Sequence, residues 1–348
     1  MLFLISDSHL LQLTPEQAYI LMKLIVVSIC KDEAKTIGQV LDGIPASIPG
    51  ITRIEKWVID DGSTDDTIGT ARKHGASVVS DRTSKRLAFR FRQAVDLALS
   101  RGADILVNID GDMQFNPQDI PKMVLPIVTG KADFVAADRF TDPKSGKFRK
   151  PTNMPKGKYF GNRVGSKVVS KLSKHNFRDV TCGFRAYNRD ALFALNTDGT
   201  YTYTQESFQI LANKRLRIIS IPVDVKYFPE RKSRVVGSLL HFIAISAISI
   251  LRSYRDFAPL RFFGWLGLVP FITGIGFLVF LSVYRVVAGE FTPYKFTGFI
   301  GLYLITLGII FWALGLVADM LSRMLNNQEK ILENLKRQRF DSKKTNEK

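Results

Sequence analysis

Asp110-Gly111-Asp112 sets two carboxylates one residue apart, directly after the apolar run Ile105–Ile109. Two such groups held on one turn repel each other unless a cation neutralises them. Hard oxygen ligands select Mg2+ or Mn2+, ions that keep positions open for diphosphate oxygens. Gln114, two residues on, can add a carbonyl oxygen or orient a metal-bound water. A second acidic turn, Asp60-Asp61-Gly62-Ser63-Thr64-Asp65, follows the strand-like Lys56–Ile59. A carboxylate there can accept hydrogen bonds from a nucleotide base or from ribose hydroxyls. Ser, Thr and Asp before a helix are also ordinary caps, and the two roles fit different residues of the segment.

Both turns need a scaffold that brings them to one edge. Leu24–Ser28, Lys56–Ile59, Ser77–Ser80, Ile105–Ile109 and Phe134–Ala137 read as strands, with helices over Asp32–Leu41 and Leu87–Leu99. Strands apolar throughout and alternating with helices predict an α/β fold, a mostly parallel sheet covered on both faces. In such sheets ligands gather at the carboxyl ends of the strands, where both acidic turns fall. Residues 141–162, rich in Lys, Gly and Pro, read as a mobile surface loop.

The formal charge is +17, which suits either nucleic acid or an anionic membrane surface with phosphorylated substrates. No zinc-finger spacing, RNP-type aromatic motif or basic dimerisation region accompanies the charge, so a nucleic-acid partner is not expected. The two cysteines, Cys30 and Cys182, stand far apart, as in a reducing compartment, and the four histidines are scattered. Residues 1–21 carry no Lys or Arg and read as an N-terminal extension before a domain that starts at Met22.

That domain is expected over residues 22–236. Residues 237–258 follow as an interfacial amphipathic helix, with Ser238, His241, Ser249 and Arg252 on one polar stripe. Phe262–Tyr284 and Phe296–Ala318 contain no Lys, Arg, Asp or Glu, and at about 1.5 Å per residue each can cross a bilayer core of about 30 Å. Residues 259–320 are therefore expected to hold two transmembrane helices, with a cytoplasmic basic tail over 321–348. Arg252, Arg255 and Arg261 flank them on one side, and Arg323, Lys330, Lys336, Arg337 and Arg339 on the other. The positive-inside rule then predicts a multi-pass protein of the plasma membrane with both termini and the first domain in the cytoplasm. Leu321, Leu325, Leu332 and Leu335 give the tail a weak helical pattern and a candidate surface for homo-oligomer contacts.

VVSICKDEAKTI, IDDGSTDDT, NIDGDMQFNPQDI, DVTCGFRAYNRDAL and YTYTQESFQI occur in an order that resembles the family-2 glycosyltransferases. The chain looks most like the polyprenyl-phosphate sugar transferases related to dolichol-phosphate mannose synthase, over about residues 24–234. The resemblance implies a GT-A (Rossmann-like) domain and transfer of a single sugar, with inversion, from a UDP- or GDP-sugar to polyprenyl phosphate. It implies nucleotide binding by Cys30, Glu33, Asp61 and Asp110, and a metal held by Asp110, Asp112 and Gln114. It also implies catalytic roles for Asp112, Arg139 and Asp179. Arg139 and Arg185 would meet the acceptor phosphate, with Arg231, Lys232 and Arg234 waiting before the interfacial helix. Cys30-Lys31 stands where the family usually has Tyr-Asn, so base selectivity does not carry over. Arg231-Lys232-Ser233-Arg234 likewise replaces the frequent Gly-Glu-Ser-Lys.

A phosphate monoester, largely dianionic at neutral pH, needs alignment and charge rather than a base. Arginine's planar fork suits it. Asp179 would then position, or serve as base if the acceptor is a lipid hydroxyl instead. A polysaccharide synthase is the other enzymatic alternative, but Trp57, Trp265 and Trp312 lie in no QxxRW motif.

Overall fold

The computed structural model describes residues 22–196, 203–228, 251, 254–255 and 258–346. The expected extension over 1–21, nearly all of the interfacial helix over 237–258, and Arg231, Lys232 and Arg234 lie outside them. The chain divides into two compact units, one formed by residues up to Leu239 together with those from Glu333 onward, the other by Leu240–Leu332.

The first unit is built on a seven-stranded sheet in the order β3-β2-β1-β4-β6-β5-β7. The strands are β1 (Met22–Cys30), β2 (Ile51–Asp60), β3 (Ser77–Val79), β4 (Ile105–Asn108), β5 (Phe134–Asp138), β6 (Arg185–Asn188) and β7 (Ile218–Pro222). Only β6 runs antiparallel, pairing with β4 and β5. The helices of the unit are α1 (Ile37–Asp42), α2 (Thr67–Lys73), α3 (Leu87–Ser100), α4 (Ile120–Val128), α5 (Lys156–Ser173), α6 (Arg189–Ala194) and α7 (Tyr203–Asn213). Burial on both faces explains the apolar strands. Leu24 and Val26 enter one core with Ile105 and Val135, while Ile25 and Val27 enter the other with Leu106 and Phe134.

Two departures from the sequence reading bear on the site. Helix α1 starts at Ile37 rather than Asp32, because residues 31–36 are a loop held by the neighbouring acidic turn. The amides of Asp32, Glu33 and Ala34 donate to Ser63 Oγ, Thr67 Oγ1 and Asp65 Oδ2. The expected loop over 141–162 ends early, since α5 begins at Lys156.

The tail also differs from expectation. The last helix, α9 (Lys295–Asn346), is continuous, and its final turns are part of the first unit. Phe340 is buried in the cluster that holds Phe193 and Leu195. Around it Lys214 pairs with Glu333 at 2.8 Å, Arg189 with Asp341 at 2.9 Å and Arg337 with Asp190 at 2.9 Å. One buried aromatic ringed by ion pairs turns a basic tail into a docked element.

In the second unit, α8 (Pro259–Ala288) and the preceding part of α9 are apolar all round. Their most hydrophobic stretches are only 11% and 17% buried, which a core helix of a water-soluble protein would not tolerate. Lipid is the solvent such a surface fits. The two helices meet through small residues: a Cβ on Gly274 would fall 2.5 Å from the Gly301 carbonyl, and one on Gly267 2.7 Å from that of Gly308. The hydroxyls of Thr273, Ser282 and Thr306 each donate to the carbonyl four residues back, so none is left bare in an apolar setting.

Candidate active site

The carboxyl ends of β1, β2 and β4 meet in one cleft. Asp60, fully buried, accepts from the amides of Gly62 and Ser63 and from Ser80 Oγ at 2.7 Å, fixing the turn after β2 to the end of β3. Asp61 accepts from the Lys85 amide at 2.7 Å, Ser84 Oγ at 3.0 Å and the Arg90 guanidinium at 3.0 Å. A carboxylate has about four acceptor positions, so Asp61 orders the loop before α3 and keeps capacity for one further donor. Arg90, completely buried, was not singled out by its sequence position. Its role depends on Asp61 and Asp81 converging from different loops.

The aspartate pair after β4 is packed from both sides. A Cβ on Gly111 would lie 2.5 Å from Cys30 Sγ, and one on Gly183 2.8 Å from Asp110 Oδ1. Only glycine admits these approaches, and they bring the first strand, the acidic turn and the Cys182-Gly183-Phe184 segment together. Burial pushes the Cys30 thiol well up, and the negative charges of Glu33, Asp110, Asp60 and Asp112 push it further. Cys30 is thus a neutral floor to an acidic cleft, not a nucleophile. Asp112 Oδ1 accepts from the Gln114 amide at 3.1 Å, which aims the second carboxylate. Among the described residues no three His, Cys, Asp or Glu side chains form a ready cage. Two carboxylates without a third protein acid are a donor set that suits an ion completed by substrate phosphates and water.

The opposite wall is cationic. Arg139, at the end of β5, forms a two-pronged pair with Asp179, Nε to Oδ2 at 2.6 Å and Nη2 to Oδ1 at 2.9 Å. Its Nη2 also donates to Thr181 Oγ1 and its Nη1 to Tyr227 OH. Four of the five N–H donors of Arg139 are therefore taken by the protein, leaving one on Nη1. Asp179 additionally accepts from the amide and hydroxyl of Thr181. Burial alone would raise the Asp179 carboxyl, but the charge and hydrogen bonds of Arg139 outweigh it and hold the group below the usual range. A carboxylate so enclosed orients its neighbours and is a poor proton acceptor.

Lys158, in the Lys-rich segment over 141–162, is a site residue that the sequence pattern does not distinguish. In the first turns of α5, it loses proton affinity through burial and through Arg139, while the charges of Asp112 and Asp110 oppose that loss. Its ammonium is within electrostatic reach of both walls. Nothing in its spacing separates it from Lys150 or Lys156; only the start of α5 does.

Arg185 corrects an expectation. It is fully buried, with its guanidinium 5.0 Å from the Phe208 ring centre and 5.6 Å from those of Phe134 and Tyr203. It donates to the Cys182 carbonyl at 2.7 Å and the Val180 carbonyl at 2.9 Å. Arg185 therefore holds the Val180–Cys182 segment from beneath and does not reach an acceptor phosphate.

With this geometry in place, comparison with known proteins is specific. The family model for glycosyl transferase family 2 matches residues 25–194. The chain is 26% identical to a Haloferax volcanii glycosyltransferase, AglJ, over 87% of its own length and 95% of that protein's. It is 30% identical to an uncharacterized glycosyltransferase of Mycobacterium bovis, covering 62% of this chain and 90% of the relative. To the undecaprenyl-phosphate mannosyltransferase of Micrococcus luteus it is 27% identical, over 59% of this chain and 82% of that one. Among solved structures, glucosyl-3-phosphoglycerate synthase from Mycobacterium tuberculosis, in complex with Mn2+, uridine diphosphate and glucosyl-3-phosphoglycerate, superposes with a TM-score of 0.50. That match has 22% identity and covers 66% of this chain and 80% of the other, a likeness of fold.

Proposed function

Because the chain belongs to glycosyl transferase family 2, we propose that it moves one sugar from a nucleotide-diphosphate sugar onto the phosphate of a polyprenyl phosphate. The observation that carries this reading is the enclosure of Asp179 by Arg139 and Thr181 beside the cationic Lys158. A hydroxyl acceptor would need a base in that position, and a carboxylate held low by a buried arginine does not serve. A phosphate needs none. The name of the Micrococcus luteus relative, an undecaprenyl-phosphate mannosyltransferase, points to the same acceptor class.

In this mechanism an acceptor phosphate oxygen attacks the anomeric carbon. The new carbon–oxygen bond forms as the bond to the donor diphosphate breaks, the nucleoside diphosphate leaves, and the configuration inverts. Asp61, with one acceptor position left, receives a donor from the base or ribose. Lys158 and the remaining Nη1 hydrogen of Arg139 hold the acceptor phosphate, and Asp179 fixes the arginine for that purpose. Asp110 and Asp112, with Gln114 close by, would hold Mg2+ or Mn2+, which supplies positive charge for the donor diphosphate.

The two apolar helices lie between chain segments that belong to one compact unit. Two crossings would return the chain to the side it left, and the basic flanks support the cytoplasm as that side. The test is radiolabel transfer from a panel of UDP- and GDP-sugars to polyprenyl phosphate and, in parallel, to diacylglycerol, each with Mn2+ or with chelator. Labelled polyprenyl phosphate that forms only with metal is the expected result. Labelled diacylglycerol alone would overturn the acceptor assignment.

A further inference from the structure

Helix α5 carries two kinds of cation. Lys158 faces the cleft, whereas Arg163, Lys167 and Lys171 follow at spacings of four and continue a stripe begun by Phe160, which is 68% exposed. The eighteen residues of α5 include no Asp or Glu. Beside this stripe lies an open cavity of about 560 Å3, lined by Arg163, Lys167, Lys171, His175, Arg178 and the exposed ring of Phe148, and by no carboxylate. Arg163 and Arg178 are built into it. The Arg163 guanidinium stands 4.5 Å over the Phe148 ring and donates to the Arg178 carbonyl, and Arg178 donates to Thr141 Oγ1. Lys167 and Lys171 have no ion-pair partner among the described residues and are exposed.

The cavity is separate from the cleft. Phe140, fully buried, stands between them, with Arg139 of the cleft 5.7 Å from its ring centre and Arg163 of the cavity 5.6 Å from it. Side chains alternate accordingly: Asp179 turns to Arg139, and the adjacent Arg178 turns to the cavity.

We propose that this cavity binds the phosphate of an anionic membrane phospholipid, at a site distinct from the one that takes the acceptor. Several cations without a counter-charge in one concavity recognise a phosphate ester. Exposed aromatics at the rim and on the same stripe, Phe148 and Phe160, suit the acyl boundary of a bilayer more than bulk water. The same chain carries two apolar helices of membrane-spanning length, which suit a protein that works in the presence of lipid. A free phosphate would use the cations but leave the aromatics without purpose.

The test uses the full chain in a neutral detergent, titrated calorimetrically with dihexanoyl phosphatidylglycerol, dihexanoyl phosphatidylcholine and inorganic phosphate. Saturable binding of the glycerol lipid, none of the choline lipid, and binding of inorganic phosphate at least about tenfold weaker are expected. K167A/K171A, both changes at exposed positions, should weaken phosphatidylglycerol binding by about twenty-fivefold at low salt, from about fivefold for each lysine near an anionic lipid. In phosphatidylcholine nanodiscs the same variant should keep the wild-type KM for polyprenyl phosphate. Unchanged phosphatidylglycerol binding by the variant, or equal binding of the two lipids, overturns the site. Inorganic phosphate binding as well as the lipid makes the occupant a free anion, and a raised acceptor KM in neutral nanodiscs makes the cavity part of the acceptor site. Either overturns the proposal. Loss of all transfer by the unaltered enzyme would count against the proposed reaction without touching these binding results.

Discussion

The Arg139–Asp179 pair offers the sharpest check on the reasoning, because positioning and base catalysis predict different behaviour. Asp179→Asn keeps the shape but replaces one oxygen with NH2, and both oxygens face donors. Oδ2 receives Arg139 Nε, and Oδ1 receives Arg139 Nη2 and the Thr181 amide. Whichever way the amide turns, N–H meets N–H beside a buried, unpaired guanidinium. Removing one partner of a buried ion pair costs about 3–5 kcal/mol. At about 2–4 °C per kcal/mol for a domain of this size, the unfolding midpoint should fall by about 6–20 °C. Arg139→Met should cost a similar amount, and the double variant less than the sum by at least about 2 kcal/mol. Thermal unfolding of the full chain in nanodiscs, followed by near-ultraviolet circular dichroism, supplies all four corners of the cycle. The pH dependence follows from the sign of the shift. Asp179 is held below its unfolded value, so its contribution is complete above the ordinary carboxylate range near pH 3.9 and is lost as pH falls from there toward the depressed value. Transfer should accordingly show no acid limb from Asp179 above about pH 5. Additive costs, or an acid limb near pH 6 that disappears in Asp179→Asn, would refute the positioning role.

Three further outcomes follow from other parts of the molecule. Asp112→Asn should abolish transfer while the unfolding midpoint stays within about 2 °C of wild type, since the carboxamide keeps an oxygen that can accept from the Gln114 amide; substantial activity in saturating Mn2+ would remove Asp112 from the metal site. Lys158→Met should raise KM for polyprenyl phosphate by about tenfold or more with little change for the donor, and wild-type acceptor binding should weaken as pH rises, at a pH lower than the ordinary lysine value near 10.4, because burial and Arg139 favour the neutral amine. Phe340→Ala should destabilise the first unit by about 3–5 kcal/mol, as for other buried aromatics, whereas a dispensable tail would show no change in unfolding.

The sheet and its acidic turns were legible because their signals are local. A strand buried on both faces is apolar at every position, as in Ile105–Val107, and an aspartate pair directly after it can only sit at the strand's end. The roles of the arginines were not legible in the same way. Arg139 and Arg185 both stand in segments matched to the family, yet one lines a cleft and the other supports a loop from inside a cage of Phe134, Tyr203 and Phe208. What separates them is strand pairing. Arg185 opens the one antiparallel strand, β6, between β4 and β5, and so enters the sheet's interior. No short-range pattern in CGFRAYN encodes that reversal. The start of α5 was hidden for a related reason: Lys156–Ser173 has few apolar residues, and its order comes from contacts on one face only, through residues such as Ser166 and Val169.

The two ends of α9 are ordered by different means, each within its own unit. In the first unit Phe340 is buried beside Phe193 and Leu195, and the pairs Glu333–Lys214 and Asp341–Arg189 bracket it, so one apolar side chain and two ion pairs hold an otherwise charged segment. In the second unit Gly301 and Gly308 meet α8 where Gly274 and Gly267 admit no side chain, so backbone approach rather than charge holds the two apolar helices together. Replacing Gly274 by Leu should therefore force α8 and α9 apart, measured as loss of cross-linking between them. Phe340→Ala should leave that cross-linking intact and speed amide exchange over residues 333–341. Cross-linking that is indifferent to Gly274→Leu would mean that the two helices do not depend on these glycines for their contact.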